Sequence, residues 1–382
     1  MDDVPVYLWP PQLEPMLRPL VLVASAALLF IGCTNDLEIN DDYADHTIIY
    51  GLLNQRDSVH LVKINKAFLG EGSAYDMALV QDSNEYRNEA ISYAKVFRLD
   101  ASGNAIDSFP LHDTIITDRG SGEFYSPVQK LSYFTTPFVQ RIPNIATGSR
   151  MYLHQDQTYR LHLRVNGKDI TSTCPIVNDF SIDPVDQDTG STFGSRVNLM
   201  NAQGTDYGSY EFNWKSKQDC KRFVVSFRFR YDEVTGTDTV RTSFTQFLGK
   251  QVSTNSQVFQ DLAVTMGGQL FFSGLSTYIR ANPEWTSVNK RIFRGLDFLV
   301  SVANDDFHTY LTLTEPISGI IEDRPAYSNI DGALGIWGSR YTKNVVGKRL
   351  GGSTLTQLVQ GPYTADLHFC SALDAGGAFS CN

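Results

Sequence analysis

Apolar and polar residues alternate with a period of two over much of the chain, which is the pattern of a strand with one buried face. Phe223, Val225, Phe227, Phe229 and Tyr231 are all bulky and apolar, while the positions between them become charged at Arg228 and Arg230. Tyr159, Leu161, Leu163 and Val165 alternate in the same way with Arg160, His162 and Arg164. Asn166-Gly167 follows at once, a hairpin turn whose two central positions both need positive φ, and Ile170 to Thr173 reads as the returning strand. Further strands are expected at 47–53, 58–66, 91–99, 105–111, 210–215, 238–246, 296–303 and 309–314.

Helical spacing is rare. Between Gln269 and Ala281, residues Leu270, Phe271, Leu275, Tyr278 and Ile279 share one face of a 3.6-residue period, and Asn282-Pro283 ends the run. Ser353 to Gln360 reads as a second short helix, capped by Ser353 and stopped by Gly361-Pro362. Many short strands and few helices predict a mainly β fold of two β-sandwich domains, immunoglobulin- or transthyretin-like, with one or two short helices. The first domain is expected over 46–178 and the second over 209–369. The stretch 179–208, rich in Asp, Ser, Gly and Asn, reads as a linker or long loop, and 370–382 as a loose tail.

One apolar run breaks the β pattern. Leu20 to Gly32 has no charge and spans about 13 residues, too short for the roughly 20 that cross a bilayer but suited to a secretory signal. Arg18 and Met16 stand just before it, while 1–15 holds Asp2, Asp3 and Glu14 without a cation, so translation is expected to start at Met16. Phe30-Ile31-Gly32-Cys33 resembles the bacterial lipobox, which implies that residues 1–32 are removed and Cys33 is acylated. Two or more acyl chains anchor a protein stably, whereas one does so only reversibly. The acidic stretch 33–45 then reads as a tether, similar to the signals that carry some lipoproteins to the outer surface of Gram-negative cells.

Composition narrows the function classes. With 42% hydrophobic and 12% aromatic residues the chain is not disordered, and a net charge of −10 without a basic block excludes phosphate-driven nucleic-acid binding. Besides Cys33 there are Cys174, Cys220, Cys370 and Cys381, an even set that an exported chain can pair. Cys370 with Cys381 is the first choice, leaving Cys174 for Cys220; four free thiols are the alternative.

Candidate chemistry is sparse. The chain has no HExxH, no G-x-S-x-G and no Walker loop, so no cofactor or metal is expected. The seven histidines are scattered, and His162 reads as a polar surface residue. Asp183, Asp186 and Asp188 with Gly190 alternate as calcium ligands do, but the glycine falls early and no Glu follows, so a solvated loop is preferred. Asn304-Asp305-Asp306 reads as a turn, and Lys63 and Lys66 as solvent-facing strand residues. Trp337, Arg340 and Tyr341 combine aromatic rings with a cation and are candidate ligand contacts for a carbohydrate or peptide, with packing of a last strand as the simpler alternative.

The stretches YGLLNQRDSVHLVKINKAFLGEG, YRLHLRVNGKDITSTCPIV, LTEPISGIIEDRPAYSNI, GALGIWGSR and GPYTADL together resemble an uncharacterised family of outer-membrane lipoproteins of Bacteroidota-type bacteria. The resemblance runs from about 33 to 368. It implies a place at the outer membrane near TonB-dependent transporters and assigns no functional residue. The reading that follows is a lipid-anchored, non-enzymatic binding or accessory module at the outer membrane, facing the periplasm or the cell surface. The alternatives are a secreted, glycosidase-like hydrolase with loop-assembled carboxylates such as Asp305 and Asp306, or a surface adhesin or structural module.

Overall fold

Where apolar residues recur at every second position, the chain pairs. The structure is a computed structural model and describes residues 46–67, 73–141, 150–254, 259–315, 327–374 and 376–381. In its first half the strands are β1 (Thr47–Leu53), β2 (Val59–Lys66), β3 (Ile91–Leu99), β4 (Ala105–Pro110), β5 (His112–Ile116), β6 (Gln129–Thr135), β7 (Gln140–Arg141), β8 (Arg150–Met151), β9 (Thr158–Val165) and β10 (Lys168–Pro175). In the second half they are β11 (Ser181–Ile182), β12 (Ser209–Lys215), β13 (Arg222–Thr235), β14 (Asp238–Val252), β15 (Asp261–Gly267), β16 (Lys290–Ala303), β17 (Leu334–Lys348) and β18 (Phe369–Ser371). The fold is mainly β, with several sheets layered as in a sandwich. The Asn166-Gly167 turn has φ of 47° and 78°, as its sequence predicts.

One long sheet, in the order β14-β13-β16-β17-β1-β2-β6-β5, runs through both halves, with β18 beside β16. The sheet β10-β9-β3-β4 packs on it through Val96, Leu161, Leu163 and Ile170 against Ile49, Val62, Phe134 and Trp337. The sheet β11-β12-β15 contributes Ile182, Phe212, Trp214, Val264 and Met266 to a second core with Phe223, Phe227, Phe229, Phe298 and Tyr341. Side chains two apart on a strand share a face. Trp337 enters the first core and Tyr341 and Val345 the second, so both small sheets lie on the same side of β17.

The two halves share a sheet. Each half has its own core, but β1 pairs in parallel with β17, Ile48 opposite Leu334 through Leu53 opposite Ser339, so a single sheet crosses the expected boundary. The stretch 179–208, a linker or long loop by its sequence, is packed against the second core. Phe180, Val197 and Leu199 are buried in the second core, and Val197 bridges Leu350. Each such side chain is worth about 1.5–3 kcal/mol of burial, enough to fasten a segment of polar composition.

The helices at Gly268–Arg280 and Gly352–Gln360 stand where periodicity places them, the latter capped at Gly351 rather than Ser353. Another helix, Asp305–Thr314, replaces the expected turn and the strand at 309–314. Asn304 Oδ1 accepts the Phe307 N–H at 3.2 Å, and Asp305 and Asp306 occupy the first turn, where negative charge suits the helix dipole. These are helix-start signals, and they outweigh the β propensity of the threonines that follow. Those threonines return their hydroxyls to carbonyls four residues back, Thr309 to Asp305 at 3.0 Å and Thr314 to Tyr310 at 2.8 Å. The tail after Cys370 is held as well, with the Ser371 N–H donating to Phe379 O at 2.8 Å.

Candidate functional site

Alternation on β13 separates a phenylalanine face from an arginine face. Phe227, Phe229 and Tyr231 fill the second core, and Arg228 and Arg230 project from the opposite side of the long sheet, beside β16. There Asp297 lies opposite Arg228 in register and has no solvent exposure, 0%. Its Oδ2 accepts from Arg228 Nε at 3.2 Å and Nη2 at 3.0 Å, and from Arg230 Nε at 2.9 Å. Its Oδ1 accepts the Gly347 N–H at 2.8 Å. A buried carboxylate is tolerated only when paired and hydrogen-bonded, and this one is both.

A bulge sets the geometry. Arg230 pairs with Gly295 but Tyr231 with Phe293, so Arg294 is the extra residue on β16. Gly295 takes φ 129°, and a Cβ there would stand 2.9 Å from the Cα of Gly347, so only glycine fits. Bulges bend a strand and re-aim a side chain. Arg294 reaches Asp232, its Nε donating to Oδ2 at 2.8 Å. Arg241 on β14 stands opposite Asp232 in register, is exposed, and has no ion pair or hydrogen bond among the described residues. Together Arg228, Arg230, Arg241 and Arg294, with Asp232 and Ser243, line an open cleft of about 630 Å³. Four guanidiniums against two carboxylates leave this face cationic in a chain whose net charge is −10.

The ligand contacts expected from the sequence do not assemble. Trp337 is 0% exposed in the first core, its Nε1–H donating to Tyr159 O at 3.0 Å. Tyr341 is equally buried, edge-on to Phe180 at 6.0 Å. Arg340 is exposed, and its odd offset from both puts it on the other face. Trp337 and Tyr341 pack in the cores instead, on a strand that lies inside the long sheet between β16 and β1 and is followed by β18.

Cys370 and Cys381 form a disulfide. Cys174 and Cys220 are free, a correction to the second pairing. They belong to different cores, Cys174 to the first and Cys220 to the second. Burial pushes both thiols up, Cys220 to about 12. Cys33, its tether and the stretch 316–326 lie outside the described residues.

Every carboxylate of the acidic loop is engaged. Asp183 caps the helix Pro184–Gln187 by accepting the Val185 N–H at 2.9 Å. Asp186, buried, accepts from the Tyr210 hydroxyl and from the Asn213 N–H. Asp188 accepts from Ser191, which holds its carboxyl down at about 2. Lys348, fully buried, donates to the carbonyls of Val185, Asp186 and Asp188 at 3.1, 2.9 and 2.7 Å, so an ammonium fills the place a cation would take. Burial lowers that lysine to about 8. The carboxylates proposed for a hydrolase are also tied: Asp306 accepts from Tyr327 at 2.9 Å, and Asp305 faces Lys221 at 3.8 Å. A second cleft, of about 590 Å³, is lined by Asp183 and by Asp261, which pairs with Lys215 at 3.2 Å.

The arginine face was half visible beforehand. Charged residues at 228 and 230 on a strand with aromatic odd positions must share the outer face. Arg241, Arg294 and Asp297 join them only through strand register. Comparison of the sequence with protein-family models and with curated proteins found no match.

Proposed function

We propose that the protein is an extracytoplasmic, lipid-anchored binding module, tethered through Cys33 to the outer membrane and acting without catalysis beside a membrane transporter. The observation that carries the reading is the Cys370–Cys381 disulfide, because such bonds persist in oxidising compartments outside the cytosol. The lipobox-like Phe30-Ile31-Gly32-Cys33 supplies the anchor. The open arginine cleft supplies a binding face set on paired strands rather than loops, as a site that selects a ligand without moving requires.

Palmitate labelling and intact-mass measurement of the membrane fraction test the anchor. The mature chain should begin at an acylated Cys33, and Cys33→Ala should move the protein to the soluble fraction. Unchanged membrane partition in the variant overturns the anchor. Co-purification from native membranes tests the transporter, and a pull-down free of any membrane protein overturns that partner. Protease treatment of whole cells separates surface display from the periplasmic leaflet.

A further inference from the structure

We propose that the cleft of Arg228, Arg230, Arg241 and Arg294 is a recognition site for a saccharide carrying sulfate or phosphate esters. The proposal rests on the reading of the chain as a binding module and is independent of how it is anchored.

Charge is the first argument. A network built for stability balances its charges, and here one buried carboxylate, Asp297, is shared between two guanidiniums. Asp232 serves Arg294, and Arg241 is left without a partner among the described residues. The excess of two positive charges repels itself and is tolerated at a cost in stability that an anionic ligand removes.

Preorganisation is the second. Asp297 is sealed from water and holds Arg228 through Nε and Nη2 and Arg230 through Nε, while both side chains line the cleft. Their side chains remain 39% and 34% exposed. Arg294 is 44% exposed at the bulge and similarly fixed by Asp232. Guanidinium forks pre-set in this way match the paired oxygens of sulfate and phosphate, and little side-chain entropy remains to be lost on binding.

The lining selects the rest of the ligand. Ser243 brings a hydroxyl suited to sugar hydroxyl groups, while the one aromatic residue, Tyr231, is only 2% exposed and offers no stacking face. An uncharged sugar or a single-stranded nucleic acid would want exposed rings there. A cleft of about 630 Å³ is wide enough for a few sugar units with their esters.

The test is calorimetry on the full chain carrying Cys33→Ala, so that a failure of the anchor leaves this measurement intact. The probes are a heparin-derived sulfated octasaccharide, its desulfated counterpart, fructose 1,6-bisphosphate, a polyglutamate peptide and an oligothymidylate. The expected result is binding of the sulfated or the phosphorylated sugar in the micromolar range, with affinity falling as salt rises. The two probes then tell sulfate from phosphate esters. The variant Arg241→Gln, altering an exposed side chain that pairs with no carboxylate among the described residues, should weaken that binding about tenfold and leave thermal unfolding within a few degrees of the parent. No binding of either charged sugar at about 1 mM overturns the proposal, as does equal binding of the desulfated sugar. Tighter binding of the peptide or oligonucleotide, or undiminished binding by the folded Arg241→Gln variant, overturns it too.

Discussion

Trp337 lies so close over Gly51 that a Cβ built on the glycine would stand 2.4 Å from ring atoms Cε3 and Cζ3. The two residues are partners in the parallel pair β1–β17, the seam that makes one sheet of the two halves. The indole spans that seam further, donating to Tyr159 O from 178 residues away.

Replacing Gly51 by alanine must push either the indole or a strand aside. Overpacking of this kind costs about 1–3 kcal/mol. Gly51→Ala is expected to lower the urea midpoint at unchanged slope, and Trp337→Phe to cost a further roughly 1–3 kcal/mol by leaving the Tyr159 carbonyl without its donor. If one seam joins the halves, a single cooperative transition persists in both variants. Two resolved transitions in the parent protein would contradict the shared sheet.

His60 makes stability depend on pH. It is 3% exposed, stacks on Phe134 at 4.7 Å and bonds Thr136 through Nε2, and burial holds its pKa down at about 4. In the unfolded chain the ordinary value is about 6.5, so between those values the unfolded state takes up a proton that the folded state refuses. Stability is therefore constant above about pH 6.5 on this account and falls toward pH 4, by up to about 3 kcal/mol. Urea titrations from neutral to acid pH measure the slope. It should be smaller in His60→Gln, and an equal slope in that variant refutes the assignment.

The thiols divide by burial. Cys174 and Cys220 should resist alkylation in the native protein and react only when it is unfolded, because burial keeps both protonated and out of reach. Cys370 and Cys381 should need a reductant first. Opening that bond by Cys381→Ala removes the closure of a short loop, worth about 2–3 kcal/mol, and should expose the tail to protease. Peptide mapping of the labelled sites reads all four.

Calcium should leave the protein unchanged. The Lys348 ammonium already satisfies the carbonyls of Val185, Asp186 and Asp188, and Asp186 is committed to Tyr210 and Asn213. Neither millimolar calcium nor a chelator is expected to shift the melting temperature. Lys348→Met strands three carbonyls in the interior and should cost several kcal/mol, as the loss of one partner of a buried ionic contact does. A calcium-dependent rise in the parent melting temperature would refute the lysine's role.

Asp297→Asn removes the charge that holds two guanidiniums together. The buried amide can still accept but no longer balances them, so a loss of about 3–5 kcal/mol is expected in thermal or urea unfolding. A change within about 0.5 kcal/mol would show that Arg228 and Arg230 do not depend on it.

Local pattern carried a great deal of this molecule by itself. Alternation located β1, β3, β9, β12 and β13 and told inward Phe227 from outward Arg228, because the side-chain period of a strand is a property of the backbone alone. Turn chemistry located the Asn166-Gly167 hairpin, and close spacing located the Cys370–Cys381 bond. Partners far apart in the chain were decided only in three dimensions. Nothing near Trp337 announces that it packs against Gly51, and no spacing rule brings Asp297 between Arg228 and Arg230. Polar composition likewise concealed that 179–208 is fastened through Phe180, Val197 and Leu199. Strand register and burial are global quantities, set by which apolar faces can be hidden together, and the cationic cleft exists only where that global choice aligns β13, β14 and β16.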